Sequence, residues 1–175
     1  MSWIDQVGKF LKQQTAGGAA VTSRGDVDAL FDQVTKEASP SVIAEGLAAA
    51  FRSKETSGFG NLLATLFTNS TGEQKAGMLN QLMSGAGPAV LSKVLTGAGL
   101  EGLVGTSGAK LTPDQAQKLK PEVVQELAMQ AEKANPSIVE TLSGFYAQHG
   151  ALLKTLGGTV LTVVLAKIAQ RQKAA

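Results

Sequence analysis

The segment TLGGTVLTVVLA, residues 155–166, has no charged side chain and lies between Lys154 and Lys167. As an α-helix it would be about 18 Å long, which is shorter than the ~30 Å hydrocarbon layer of a bilayer. Its apolar residues point to nearly every side, which is typical of a helix buried among other helices. We therefore predict a core helix over residues 159–168 at the centre of the fold. A partner-binding helix and a membrane-associated helix are the two alternatives.

The rest of the chain repeats one pattern, in which a capping residue or a proline precedes apolar residues at helical spacing. Thr71 and Gln74 have the spacing of a capping box. Proline marks a helix start after Ser39, Thr112, Lys120 and Asn135. No segment alternates between apolar and polar residues in the manner of a strand. The sequence predicts an all-α fold, a compact bundle of about eight short helices in one or two lobes.

Glycine is distributed unevenly. The chain has 20 glycines, and five of them fall within residues 97–108, where they favour a loop over a helix. Beyond that segment proline marks the helix starts. We predict a glycine-rich helical lobe over residues 1–108 and a proline-punctuated lobe over residues 109–175, which carries the apolar C-terminal helix, with both lobes joined in one integrated domain.

Side chains that react near neutral pH are scarce. The chain has no cysteine, one histidine and one tyrosine, so a Cys–His pair, a CxxC metal site and a two-histidine metal site are excluded. We predict a protein that is not an enzyme and has no catalytic residue, no cofactor and no metal.

Two patterns resemble functional motifs. Gly97, Gly99 and Gly102 spell GxGxxG, and Glu122 follows twenty residues after Gly102. A dinucleotide site requires a strand before these glycines, whereas the preceding apolar residues have helical spacing, so we predict a helix-terminating loop. Glu122 and Glu126 lie one helical turn apart, a spacing that allows paired-carboxylate chemistry, but a solvated helix surface is the interpretation we adopt.

The charge balance bears on possible partners. A net charge of +2 is too small to indicate a nucleic-acid-binding surface, so we predict no nucleic-acid partner. Charged residues make up 17% of the chain, below the usual ~25%, which leaves apolar surface for another protein. We predict a protein-binding module with Phe59 and Phe67 as partner-binding residues. The N-terminus has no apolar stretch of signal-peptide length, which predicts a cytoplasmic location.

The C-terminal end suggests an alternative function. After Glu140 the chain has no acidic residue, and four cations remain. These are Lys154, Lys167, Arg171 and Lys173. Such a basic, apolar end could rest on an anionic membrane surface, so the alternative is a peripheral membrane protein.

Three stretches resemble the YidB-like family of small bacterial proteins. The N-terminus begins with Met, a small residue, two large apolar residues and an aspartate, MSWID, before an amphipathic helix. The stretch GFGNLL, residues 58–63, is similar to that family's glycine-flanked helix start, and LTPDQ, residues 111–115, is similar to a later one. The resemblance covers about a third of the chain. It implies a bacterial helical protein and supplies no functional residues.

Overall fold

The structure, a computed structural model, describes residues 3–15, 24–100, 102 and 110–174. Within these ranges the chain forms eleven α-helices and no β-strand, which confirms the all-α prediction. The count is eleven where the sequence predicts about eight, and two of the helices have only five and four residues. In chain order the helices are α1 (Trp3–Thr15), α2 (Arg24–Glu37), α3 (Pro40–Phe51), α4 (Phe59–Asn69), α5 (Gly72–Ala86), α6 (Pro88–Gly97), α7 (Pro113–Gln117), α8 (Pro121–Ala134), α9 (Ile138–Ala147), α10 (Gly150–Leu153) and α11 (Gly158–Ala174).

The chain divides into two compact units. Unit 1 consists of Met1–Thr56 together with Ser143–Ala175, and unit 2 is Ser57–Leu142. This division differs from the predicted lobes 1–108 and 109–175, because the C-terminal helix packs with the N-terminal helices and joins both ends of the chain in one unit. The predicted boundary over residues 97–108 falls inside unit 2, and its residues 101 and 103–108 lie outside the described part of the chain.

Helix α11 is the core helix of unit 1. It packs against α3 and also contacts α1 and α2. Its buried residues are Val160, Leu161, Val163, Val164, Leu165, Ile168 and Ala169. These residues confirm the core-helix prediction, although the helix is longer than the 159–168 range that the sequence indicates.

Unit 2 is built on the contact between α4 and α8. The two backbones approach closely at Gly60, where a Cβ atom would lie 3.0 Å from the carbonyl oxygen of Gln125 and 2.8 Å from Cγ of Met129. Helix α8 also packs against α5 and α6, and α7 packs against α5. Unit 2 therefore has α8 as its central helix.

Capping residues fix several helix starts as predicted. Thr71 and Thr112 each form a complete capping box, with Gln74 and Gln115 respectively. Asn135 also caps its helix start, since Oδ1 accepts from the Ser137 backbone N–H at 3.2 Å, and its Nδ2 donates to the Gly85 carbonyl at 3.3 Å. Two turn residues, Pro136 and Ser137, precede the regular helix α9, which begins at Ile138.

Candidate functional site

A cleft between α6 and α8 is the candidate site of unit 2. Its volume is about 410 Å³, within the range of about 300–1,000 Å³ that is common for ligand pockets. Helix α6 and the residue that follows it contribute Lys93, Val94, Gly97 and Ala98. Helix α8 contributes Glu122, Val123, Glu126 and Gln130.

The floor of the cleft is apolar and its edges are charged. Val94 is buried and Val123 is half-buried, whereas Lys93, Glu122 and Glu126 are exposed. Gly97 is also exposed, and a Cβ atom at this position would meet nothing within 4 Å. An apolar floor contributes to binding by releasing water, and charged edges orient what is bound.

Helix α6 ends at the cleft in a Schellman motif. The Gly99 N–H donates to the Thr96 carbonyl at 3.1 Å, and the Leu100 N–H donates to the Leu95 carbonyl at 2.8 Å. Gly99 has φ +72°, a left-handed conformation that glycine adopts at little cost. Helical structure up to Gly97 confirms that no strand precedes the GxGxxG glycines, and it gives Gly99 a role in ending the helix.

The α8 side of the cleft carries an acidic row. Glu122, Glu126 and Gln130 are spaced four residues apart and therefore lie on one helix face. Gln130 Nε2 donates to Glu126 Oε1 at 2.8 Å, which holds these two side chains together. The helix-surface interpretation of the two glutamates is confirmed, since both are exposed.

The charged side chains of the cleft are available to a ligand. Within the described part of the chain, no ion pair involves Lys93, Glu122 or Glu126. The C-terminal end of α6 adds the negative partial charge of a helix terminus. The cleft thus has two carboxylates along α8 and one ammonium group on α6.

The predicted partner-binding residues lie elsewhere in unit 2. Phe59 is 2% exposed and Phe67 is 1% exposed, and both belong to its core. The ammonium group of Lys75 lies 4.9 Å from the centroid of the Phe67 ring. Neither phenylalanine presents its side chain on a surface, because both lie on the buried stripe of α4.

The cations near the C-terminus are partly engaged in unit 1. Lys154 Nζ lies 2.9 Å from each carboxylate oxygen of Asp32. Arg171 Nε lies 3.4 Å from Glu45 Oε2. Lys167 is half-buried, and the side chain of Lys173 lies outside the described residues. Two of the four cations therefore have a carboxylate beside them.

Metal binding and membrane insertion also bear on site chemistry. Among the described residues, no three or more His, Cys, Asp or Glu side chains gather in a way that could hold a metal ion. In the same part of the chain, no helix combines the length and apolar character needed to cross a bilayer.

The sequence marks some residues of the cleft but does not show that they lie close together. Gly97 and the two glutamates stand out as sequence patterns, but nothing in the sequence places α6 beside α8, because that contact joins residues about thirty positions apart. No sequence pattern marks Lys93 as a functional residue. Comparison with protein-family models, with curated proteins and with solved structures finds no match to this chain.

Proposed function

We propose that this chain is a non-catalytic protein-binding module that uses the α6–α8 cleft to hold a segment of another protein. The observation that supports the proposal is an apolar floor at Val94 and Val123 with charged edges whose side chains have no ion-pair partner among the described residues. Buried apolar contact supplies affinity in such a site, and charges at the rim supply orientation and specificity. We also propose, from the YidB-like resemblance, that the protein is bacterial, and we propose a cytoplasmic location for it.

The shape of the cleft favours a polypeptide segment over a compact small molecule. The row from Glu122 to Gln130 covers nine residues of α8, a distance along the helix axis of about 12 Å. Pockets for small ligands usually enclose most of the ligand surface. Here five of the eight lining residues, from Lys93 to Glu126, are exposed, so the cleft is an open groove along two helices.

Site-specific photocrosslinking tests the proposal. A benzophenone amino acid at Ala98, which is exposed and lines the cleft, should give a higher-mass protein adduct when irradiated in lysate of the source cells. The matched control is the same amino acid at Ser92, which is exposed on α6 but does not line the cleft. An adduct from Ala98 alone supports the proposal. No adduct, or the same adducts from both positions, counts against it.

The phenylalanine pair is a poor choice for this test. Replacing Phe59 and Phe67 with alanine would remove two buried rings, at about 3–5 kcal/mol for each ring. Loss of binding in that variant would follow from loss of folding. Substitutions at exposed cleft residues avoid this ambiguity.

The membrane alternative makes a different prediction. If the basic end bound anionic lipid, replacing Lys167 and Arg171 with glutamine would reduce flotation with phosphatidylglycerol vesicles. We expect no change, because Arg171 lies beside Glu45 and α11 packs in unit 1. Deletion of residues 151–175 would not separate the two functions, since it removes the core helix of unit 1. Reduced flotation of the folded double variant would favour the membrane.

A further inference from the structure

We infer that the occupant of the cleft is an amphipathic α-helix that carries lysine or arginine at a spacing of four residues along the edge facing α8. This inference rests on the proposed function and names the class of partner. It follows from three properties of the cleft: the helices that form it, the order of its charges and the size of its floor residues.

The groove between α6 and α8 favours a helical occupant. Both walls are helices, whose backbone groups are largely bonded within the helix itself. An extended segment would find few backbone partners here, and each unpaired backbone group that it buried would cost free energy. A helix satisfies its own backbone and can place its side-chain ridges in the groove between two neighbouring helices.

The charge order favours a basic edge on that helix. Glu122 and Glu126 form the α8 edge, and neither has an ion-pair partner among the described residues. Cations spaced four residues apart on a partner helix repeat at about 6 Å, the same interval as the glutamates. The single cation of the α6 edge, Lys93, favours one acidic residue on the opposite side of the partner helix.

The floor favours apolar side chains of moderate size. Val94 and Val123 form the apolar floor, and Gly97 lines the cleft with open space where a Cβ atom would lie. The Cβ atom of a tryptophan at Gly97 has open space, and we expect its ring to extend into the cleft. This property supplies a blocking variant for the experiment.

A displayed peptide library tests the inference directly. The probe is a phage library of helical peptides of about 15 residues, the length at which an isolated helix becomes marginally stable, with its surface positions randomised. Selection on wild-type protein should enrich lysine and arginine at positions four apart. Two exposed ion pairs are worth about twofold to thirtyfold in affinity. Selection on the E122K/E126K variant should enrich aspartate and glutamate at those positions.

Two controls keep the result specific to the cleft. The Gly97→Trp variant should lose the selected peptides, and Thr96→Trp, on the same helix but outside the cleft lining, should retain them. Circular dichroism confirms that each variant is folded. The inference is overturned if no basic enrichment occurs, if the same residues are enriched on wild type and on E122K/E126K, or if Gly97→Trp binds as well as Thr96→Trp.

Failure of this inference is distinguishable from failure of the proposed function. If Ala98 gives an adduct in lysate but the library shows no enrichment of lysine or arginine, the cleft still binds a protein segment. That segment is then not a basic helix. Absence of both results rejects the two proposals together.

Discussion

Gly46 on α3 lies directly against Ile168 on α11. A Cβ atom at Gly46 would overlap Cγ1 of Ile168 and lie 3.2 Å from the backbone oxygen of Val164. The absence of a side chain at this point lets the two helices approach closely at the centre of unit 1. The contact links the N-terminal part of the chain to its C-terminal helix.

Gly46→Ala should destabilise unit 1 by about 1–3 kcal/mol, since overpacking a tight contact forces side chains or backbone to shift. Urea unfolding monitored by circular dichroism measures the loss. The matched control is Gly8→Ala in α1, where a Cβ atom meets nothing within 4 Å, so that variant should gain about 0.5–1 kcal/mol from helix propensity. Equal effects at the two positions would contradict the close approach.

Asn80→Ala should destabilise unit 2 by about 1–3 kcal/mol, because it leaves backbone groups of Leu111 without partners. Asn80 Oδ1 accepts from the Leu111 N–H at 2.7 Å, and Nδ2 donates to the Leu111 carbonyl at 3.2 Å. Hydrogen exchange of the Leu111 amide should accelerate in this variant. Asn61→Ala, which removes an exposed bond to Ser57, serves as a control and should change stability by less than about 0.5 kcal/mol. Unchanged exchange at Leu111 would contradict the role of Asn80.

Gly99→Ala should destabilise α6 by about 1–2 kcal/mol, since an L-residue with a side chain is strained in the left-handed conformation. Gly97→Ala, two residues earlier, should instead stabilise by about 0.5–1 kcal/mol, because this helical glycine has open space around it. Thermal unfolding of the two variants checks the opposite signs. The same sign for both would refute the Schellman assignment.

The Lys154–Asp32 pair should contribute about 0.2–1 kcal/mol of coupling energy, as exposed ion pairs do. The side chains are 32% and 46% exposed, so solvent screens the attraction. A double-mutant cycle with Lys154→Gln and Asp32→Asn measures the coupling, which should shrink in about 1 M salt. The longer Arg171–Glu45 pair, with exposures of 64% and 50%, should give a smaller value. A larger coupling for the Arg171 pair would contradict this ranking.

Helix starts and ends are the features of this fold that local sequence predicts well. Thr71 forms the expected capping box, and Thr112 starts a helix where the following proline predicts one, because the bonds involved span only three residues. Asn135-Pro136 shows the limit of this reasoning. Asn135 makes the local capping bond to the Ser137 N–H, but its second bond, to the Gly85 carbonyl fifty positions away, has no signal in the local sequence.

The candidate site could be predicted only in fragments. The spacing of Glu122 and Glu126 correctly places them on one exposed helix face. The hydrophobicity of Phe59 and Phe67 gives no information on whether they face a core or a partner, since either role requires an apolar side chain. Their burial in unit 2 depends on packing that no local pattern records.

The sequence by itself determined the all-α class, several helix starts and the core helix that it places over residues 159–168, because capping bonds and apolar periodicity act over a few residues. Tertiary structure alone decided that both ends of the chain form unit 1 and that Lys93 shares a cleft with Glu122 and Glu126. These outcomes depend on contacts between distant helices. Such contacts are selected by the fit of whole surfaces, as at Gly46 and Ile168, and not by any short stretch of residues.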